Sequence, residues 1–271
     1  MEKLDLSRFG LPSAQSFEPV AFARMKADSH NKTPGDLTGL DCPKCLNRGN
    51  IAIPKEDGGI SFAECTCMKA RRSVWKMEKS GLKNVITEMT FEKFQTSEPW
   101  QQNIRGKAMA YADSMTGWLL ICGQVGSGKT HLCTAVCRHR LLAGDAVRYM
   151  PWRDEIARLK ALSLNDEERE KLIDELKTAQ ILYVDDLFKT GRAADGSTNP
   201  TSADISIAFE IINYRYINHL TTIVSTEKIP QELIEIDEAT ASRIIERAKG
   251  NTIQISRNPG RNYRLRGVAE V

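Results

Sequence analysis

Gly123-Gln124-Val125-Gly126-Ser127-Gly128-Lys129-Thr130 satisfies G-x-x-x-x-G-K-[ST] at every specified position. Ahead of it Trp118-Leu119-Leu120-Ile121-Cys122 is a short apolar run, and behind it His131 to Leu142 carries helix-forming residues at helical spacing. The order is strand, glycine loop, helix. Such a loop turns the backbone N–H groups of Gly123, Val125, Gly126, Ser127 and Gly128 onto phosphate oxygens. Lys129 then reaches the β- and γ-phosphates, Thr130 offers its hydroxyl to Mg²⁺, and His131 closes the stretch assigned to a nucleoside triphosphate.

Onward from the loop, strand and helix alternate as a parallel α/β sheet requires. Ala146 to Met150, Ile181 to Val184, Thr222 to Val224 and Thr252 to Ile255 read as four further strands, which makes five with the first. The third of these five runs into Asp185 and Asp186. A nucleotidase needs one carboxylate to hold Mg²⁺ and one to orient or deprotonate water, and Asp185 and Asp186 are assigned those roles in that order. An enzyme that places its own carboxylate base is an ATPase type, so ATP is the expected nucleotide. The fourth strand ends in Ser225-Thr226-Glu227, polar groups emerging where a γ-phosphate would lie, and Ser225 and Thr226 are candidates to sense it. Arg243 sits in an apolar context, either as a buried structural ion pair or as a finger offered to a neighbour's nucleotide.

At 271 residues with a net charge of +3 the chain has room for an α/β core and a smaller module, and too little charge to bind nucleic acid as a whole. No apolar run approaches the roughly 18 residues that cross a bilayer, and the first twenty residues carry no signal-peptide core, so a cytoplasmic protein without membrane attachment is expected. Seven cysteines in such a chain point to metal ligands rather than disulfides. Cys42-Pro43-Lys44-Cys45 and Cys65-Thr66-Cys67 form two pairs, joined by a turn-rich stretch whose flanks, Asn50 to Ile53 and Ile60 to Glu64, read as a β-hairpin. Four thiolates suit a closed, structural Zn²⁺ site, with His30 as a substitute ligand. Cys122, Cys133 and Cys137 read as core cysteines.

Lys69 to Lys79 reads as a short basic helix ending near Gly81, serving as a phosphate or partner contact or as a solvated face. Periodicity is lost over residues 82 to 90. The domain reading is a flexible segment over 1–37, a zinc module with its basic linker helix over 38–88, and an ATPase domain over 89–271.

Taken together, the chain resembles the DnaC/DnaI type of bacterial and phage replicative helicase loader, an AAA+ ATPase of the initiator clade. The resemblance covers about residues 40 to 266. It rests on the cysteine module, Thr90-Phe91-x-x-Phe94, Gly123 to Leu132, Val184-Asp185-Asp186-Leu187-Phe188-Lys189, Ile212-Asn213-Tyr214-Arg215-Tyr216, and Asp237 to Ile244. It implies an arginine finger at Arg243 acting across a subunit interface, no helical lid after the fifth strand, self-association with ATP and DNA, and two partners: a DnaB-type helicase gripped by the zinc module, and single-stranded DNA. Two predicted helices, Trp152 to Leu162 and Asn165 to Thr178, resemble the clade's insertion, with Arg153, Arg158 and Lys160 as candidate phosphate contacts. Two departures are Asp186 in place of the usual glutamate and Glu227 near the place of an asparagine sensor. The alternative reading is an IstB-like transposase helper on duplex DNA, whose pattern is not expected to include the zinc module.

Overall fold

The computed structural model describes residues 19–77, 85–190 and 199–265. The chain divides into two compact units between Arg71 and Arg72, earlier than the division at residue 88 that loss of periodicity predicts.

The first unit contains α1 (Pro19–Lys32), strands β1 (Asn50–Pro54) and β2 (Ile60–Glu64), and the start of α2 (Cys67–Met77). The hairpin pairs antiparallel from Asn50↔Glu64 to Pro54↔Ile60, as its sequence predicts. Its turn is closed by Lys55 N–H to Gly59 O (2.8 Å), with Gly58 at φ +87° supplying the left-handed residue. Within the stretch expected to be flexible, α1 is a regular helix that packs on β1, burying Ala23 and Ala27. Two small alanines give α1 a weak apolar face, which is why its periodicity is faint. It is held by polar pairing: the Asn31 amide donates to Ala52 O (3.0 Å) and accepts from Ala52 N–H (2.9 Å), as a neighbouring strand would. Residues 1–18 of that stretch, and Lys79 and Gly81 of the basic helix, lie outside the described residues.

The second unit is a three-layer α/β body. Its sheet is built from β3 (Leu119–Gly123), β4 (Val147–Pro151), β5 (Ile181–Asp185), β6 (Thr221–Thr226) and β7 (Thr252–Ile255), all parallel, in the order β4-β5-β6-β3-β7. Every residue of β3 and β5 is buried, which explains their near-continuous apolar sequence. The unit enters through α3 (Val85–Glu88) and α4 (Pro99–Ser114). The crossovers are α5 (Lys129–Leu142), the pair α6 (Trp152–Ala161) and α7 (Asp166–Thr178), α8 (Ser202–Ile217), and the pair α9 (Pro230–Ile236) and α10 (Glu238–Arg247). The two helices between β4 and β5 are therefore present at the predicted positions. After β7 the described chain ends in two 3₁₀ turns, Pro259–Arg261 and Tyr263–Leu265. No helix among the described residues is long and apolar enough to cross a membrane.

Arg215, on α8, is fully buried and ties three elements together. Its guanidinium donates to the carbonyls of Leu176, Lys177 and Ala179 at the end of α7, to Thr221 O, and to Thr222 Oγ1 on β6. Truncating it strips those acceptors of their donor in a site closed to water, a loss of about 3–5 kcal/mol by analogy with broken buried charged networks. Arg215→Met is therefore expected to lower the thermal midpoint by roughly 6–20 °C for a domain of this size. A calorimetric scan within about 2 °C of wild type would contradict that role.

Candidate nucleotide site and metal centre

The loop after β3 folds as its glycines require. Gly123, Gly126 and Gly128 all have positive φ (+102°, +68° and +91°). A Cβ at Gly123 would sit 2.1 Å from Ile255 O, one at Gly126 2.0 Å from Asn262 Oδ1, and one at Gly128 2.7 Å from the Phe94 ring. The loop is thus packed on three sides, by β7, by the C-terminal turns and by the segment before α4. It leads into α5, whose first turn presents free backbone N–H groups to the cavity above it.

That cavity, about 310 Å³, is lined by Gly126 to His131 and by Met89, Phe94 and Gln95. Asp186, Lys189 and Glu227 also line it, and Tyr263 and Arg264 reach it from the C-terminal turns. Tyr263 is anchored by its N–H to Gly126 O (2.9 Å) and by Gln101 Nε2, which donates to its hydroxyl (2.5 Å). Lys129 is buried, its ammonium bonded to Gly123 O (3.0 Å) and Gln124 O (2.7 Å). Burial pushes its pKa down, against the pull of Asp186 and Glu227. His131 bonds Thr90 O through Nε2 (2.8 Å) with its ring edge-on to Phe94, and burial holds it below the ordinary imidazole range.

Asp185 and Asp186 part company at the end of β5. Asp185 is buried, with Oδ1 accepting from Thr130 (3.1 Å), Tyr183 (2.6 Å) and Ser225, and Oδ2 accepting from Tyr149 (2.9 Å). It stands one hydroxyl back from the cavity, joined to Thr130, which lines it. A hydroxyl and a carboxylate so placed fit the donor set of a hydrated Mg²⁺. Asp186 has left-handed backbone (φ +57°), which turns its side chain into the cavity, while its N–H donates to Ser225 Oγ (2.9 Å). Lys189 Nζ lies 2.8 Å from Asp186 Oδ2 and 2.8 Å from Glu227 Oε1.

Two sequence expectations are corrected here. Ser225 and Thr226 are fully buried and do not line the cavity. Ser225 is occupied with Asp185 and Asp186, and Thr226 donates to Leu187 O (2.8 Å), so both brace the acidic turn and neither lines the cavity. The neighbouring residue that does line the cavity is Glu227, immediately after β6. Gly123 and Val125 likewise lie outside the lining, Gly123 because it is spent on packing against β7.

Arg243 is half-buried and stacks over Phe209 (5.1 Å) and Tyr216 (5.6 Å), with Nε donating to Asn213 Oδ1 (2.9 Å) and Nη1 to Ala239 O (2.6 Å). The buried ion pair is therefore not what is found, and Arg243 is absent from its own cavity's lining. On α6, Arg153 and Arg158 are exposed, but Lys160 is committed to Asp204 (2.7 Å) at the start of α8.

In the first unit Cys42, Cys45, Cys65 and Cys67 converge, their sulfurs all within 4.8 Å of one another. Cys42 and Cys65 are 3.8 Å apart and Cys45 and Cys67 3.5 Å, with no disulfide between them. A tetrahedron with ~2.3 Å metal–sulfur bonds has edges of about 3.8 Å, so the donor set fits a structural Zn²⁺. Burial raises Cys67 to about 12; Cys45 is buried too, but Gly49 N–H and the other sulfurs outweigh that and bring it down to about 7. Arg71, which the basic helix offered as an outward contact, instead donates to Thr38 O, Leu40 O and Asn47 Oδ1 beside the cluster. His30 is not a ligand: its Nε2 pairs with Asn50 Oδ1 (2.8 Å) and its ring lies tilted against Phe62 (centroids 4.9 Å apart). Cys122, Cys133 and Cys137 are buried, their thiols pushed up by burial, as core residues.

A parallel sheet carrying this loop and this acidic strand end defines a P-loop ATPase of the AAA+ type. The bacterial DnaA ATPase domain model matches residues 86–249, and the chain belongs to that family. It is 27% identical over 246 residues to the phage-like element PBSX protein XkdC of Bacillus subtilis (strain 168), covering 86% of this chain and 89% of that protein. It is 28% identical over 145 residues to the replicative helicase loader DnaC of Escherichia coli (strain K12), covering 51% of this chain and 58% of the loader. Among solved structures, a replication initiator DnaA bound to AMPPCP and single-stranded DNA shares the fold, with TM-score 0.50 and 22% identity over 63% of this chain and 50% of that one. The DnaC/DnaI resemblance carried by the motifs stands with these relatives.

Proposed function

We propose that the protein is an ATP-dependent loader of a replicative DnaB-type helicase onto single-stranded DNA, acting in the initiation of replication. The observation that supports it best is the cavity in which Gly126 to Thr130, Asp186 and Glu227 converge, in a chain whose relatives include a helicase loader. Lys129 and the α5 N-terminus bind the phosphates. Thr130 and Asp185 hold Mg²⁺, which neutralises phosphate charge when bound. Water attacks the γ-phosphorus, the bond to the β-γ bridging oxygen breaks, and Asp186 accepts the proton of the water. Phe94, Met89 and Gln95 receive the rest of the nucleotide, beside His131. The cysteine module grips the helicase, and Arg153 and Arg158 contact DNA phosphates.

Arg243 acts in trans. What supports this reading is that its guanidinium, half-buried over Phe209 and Tyr216 and bonded to Asn213 and Ala239, does not line its own cavity. The protein then self-associates in the presence of ATP and single-stranded DNA. Subunits carrying Arg243→Ala retain a nucleotide site, and subunits carrying Lys129→Ala retain a finger. Mixed, they are expected to regain part of the DNA-stimulated hydrolysis that neither shows alone, a finger being worth ~10³–10⁵ in rate in well-studied nucleotidases. No rescue, with co-assembly verified by sedimentation, would return Arg243 to a structural role.

A further inference from the structure

We propose that Lys189 is a charge-compensating and positioning residue of the nucleotide site, a single ammonium that holds the base Asp186 and the carboxylate Glu227 together so that a triphosphate is admitted between them. The proposal rests on the nucleotide-site reading and adds a group that neither the loop pattern nor the acidic strand end assigns.

The geometry is specific. Asp186 comes from the end of β5 and Glu227 from just beyond β6, neighbouring strands whose ends open into the cavity. Lys189 lies three residues past Asp186, on a turn braced by Lys189 N–H to Asp186 O (2.9 Å), Leu187 N–H to Ser225 O (2.9 Å) and Thr226 Oγ1 to Leu187 O (2.8 Å). Its ammonium is 2.8 Å from an oxygen of each carboxylate. Each of the three side chains is between 29% and 39% exposed, and all three line the cavity. Burial works against the Lys189 charge, but the two carboxylates outweigh it and raise its pKa, so the ammonium stays charged.

The consequence is electrostatic. Two carboxylates facing the phosphate end of an ATP cavity repel a γ-phosphate, because like charges a few ångströms apart in a partly desolvated site interact strongly. One shared ammonium cancels about half of that repulsion. It also fixes the carboxylate of Asp186, which the left-handed backbone turns into the cavity. Glu227 is tolerated at the end of β6 because Lys189 accompanies it, and the two form a matched pair across the sheet.

The test is equilibrium binding of ATP and ADP to the full chain carrying Lys189→Met, Glu227→Gln, both together, or Lys189→Arg, each checked for folding by its thermal transition. Lys189→Met is expected to weaken ATP about tenfold while ADP, which lacks the γ-phosphate, changes less than about threefold. Adding Glu227→Gln to it is expected to restore most of the ATP affinity by removing the uncompensated charge, and Lys189→Arg to retain it. Should Lys189→Met fail to fold, Glu227→Gln alone decides, with ATP affinity predicted to rise relative to ADP. Equal losses for ATP and ADP, no recovery in the double variant, or an ATP:ADP preference unmoved by Glu227→Gln would overturn the role of Lys189 while leaving the nucleotide site intact. Wild-type protein that bound neither nucleotide would instead sink the site itself and this proposal with it.

Discussion

Lys129→Ala is expected to abolish ATP binding, and Asp186→Asn to keep binding while losing hydrolysis by about 100-fold or more. The two effects separate because the residues act on different atoms. The Lys129 ammonium is held by Gly123 O and Gln124 O of the loop and lines the cavity, and no other lysine or arginine of α5 lines it. Asp186 lies across the cavity, and an amide there keeps the size of the side chain but cannot accept the water's proton. Asp185 is the control. Replacing it with asparagine disturbs four hydroxyl donors, Thr130, Tyr149, Tyr183 and Ser225, so both metal-dependent binding and stability should suffer. Binding of a fluorescent ATP analogue and single-turnover phosphate release distinguish these cases. Hydrolysis by Asp186→Asn at the wild-type rate would remove Asp186 from the role of base.

Loss of metal is expected to unfold the first unit. Its described core is three buried cysteines packed with Leu40, Cys42, Ile51 and Met68, and its helix α1 contributes two buried alanines and the polar contacts of His30 and Asn31. So little apolar surface does not stabilise some fifty ordered residues against their conformational entropy, whereas a structural Zn²⁺ contributes about 10–16 kcal/mol of apparent binding energy in small zinc domains at neutral pH. Purified protein should carry about one zinc per chain. Chelation, or Cys45→Ser, should expose residues 19–77 to limited proteolysis while leaving the ATPase unit's own transition within a few degrees. Metal-free protein with the protease pattern and thermal profile of the untreated chain would refute the site.

The parts of this molecule that were legible beforehand are those in which chemistry is written in contiguous residues. The loop from Gly123 to Thr130, the acidic end of β5 and the two cysteine pairs each carry their own spacing, and the sheet strands announced themselves as apolar runs. What escaped depends on which strands lie side by side. Ser225 and Thr226 end a strand and so suggest a phosphate contact, but β6 lies beside β5, and their hydroxyls are consumed by Asp185, Asp186 and Leu187. The Tyr149 and Tyr183 hydroxyls reach Asp185 because these residues are paired in register on β4 and β5, a relation without local signature. Lys189 stood in plain view within the quoted motif, yet its meaning came only with Glu227, 38 residues away. Lys160 was an inviting DNA contact until α8 supplied Asp204. The helix α1 has no clear signature in the sequence, because alanine and asparagine leave almost no hydrophobic period.

The most direct test of the account is transfer of the host's DnaB-type helicase onto covalently closed single-stranded circles, read by gel filtration of the DNA-bound fraction. With ATP, the wild-type protein should raise the helicase bound to the circles well above its unassisted level, while Lys129→Ala should not. Unchanged helicase loading by the wild-type protein, together with ATP-dependent filaments on duplex DNA, would contradict the loader reading and favour a transposase helper instead.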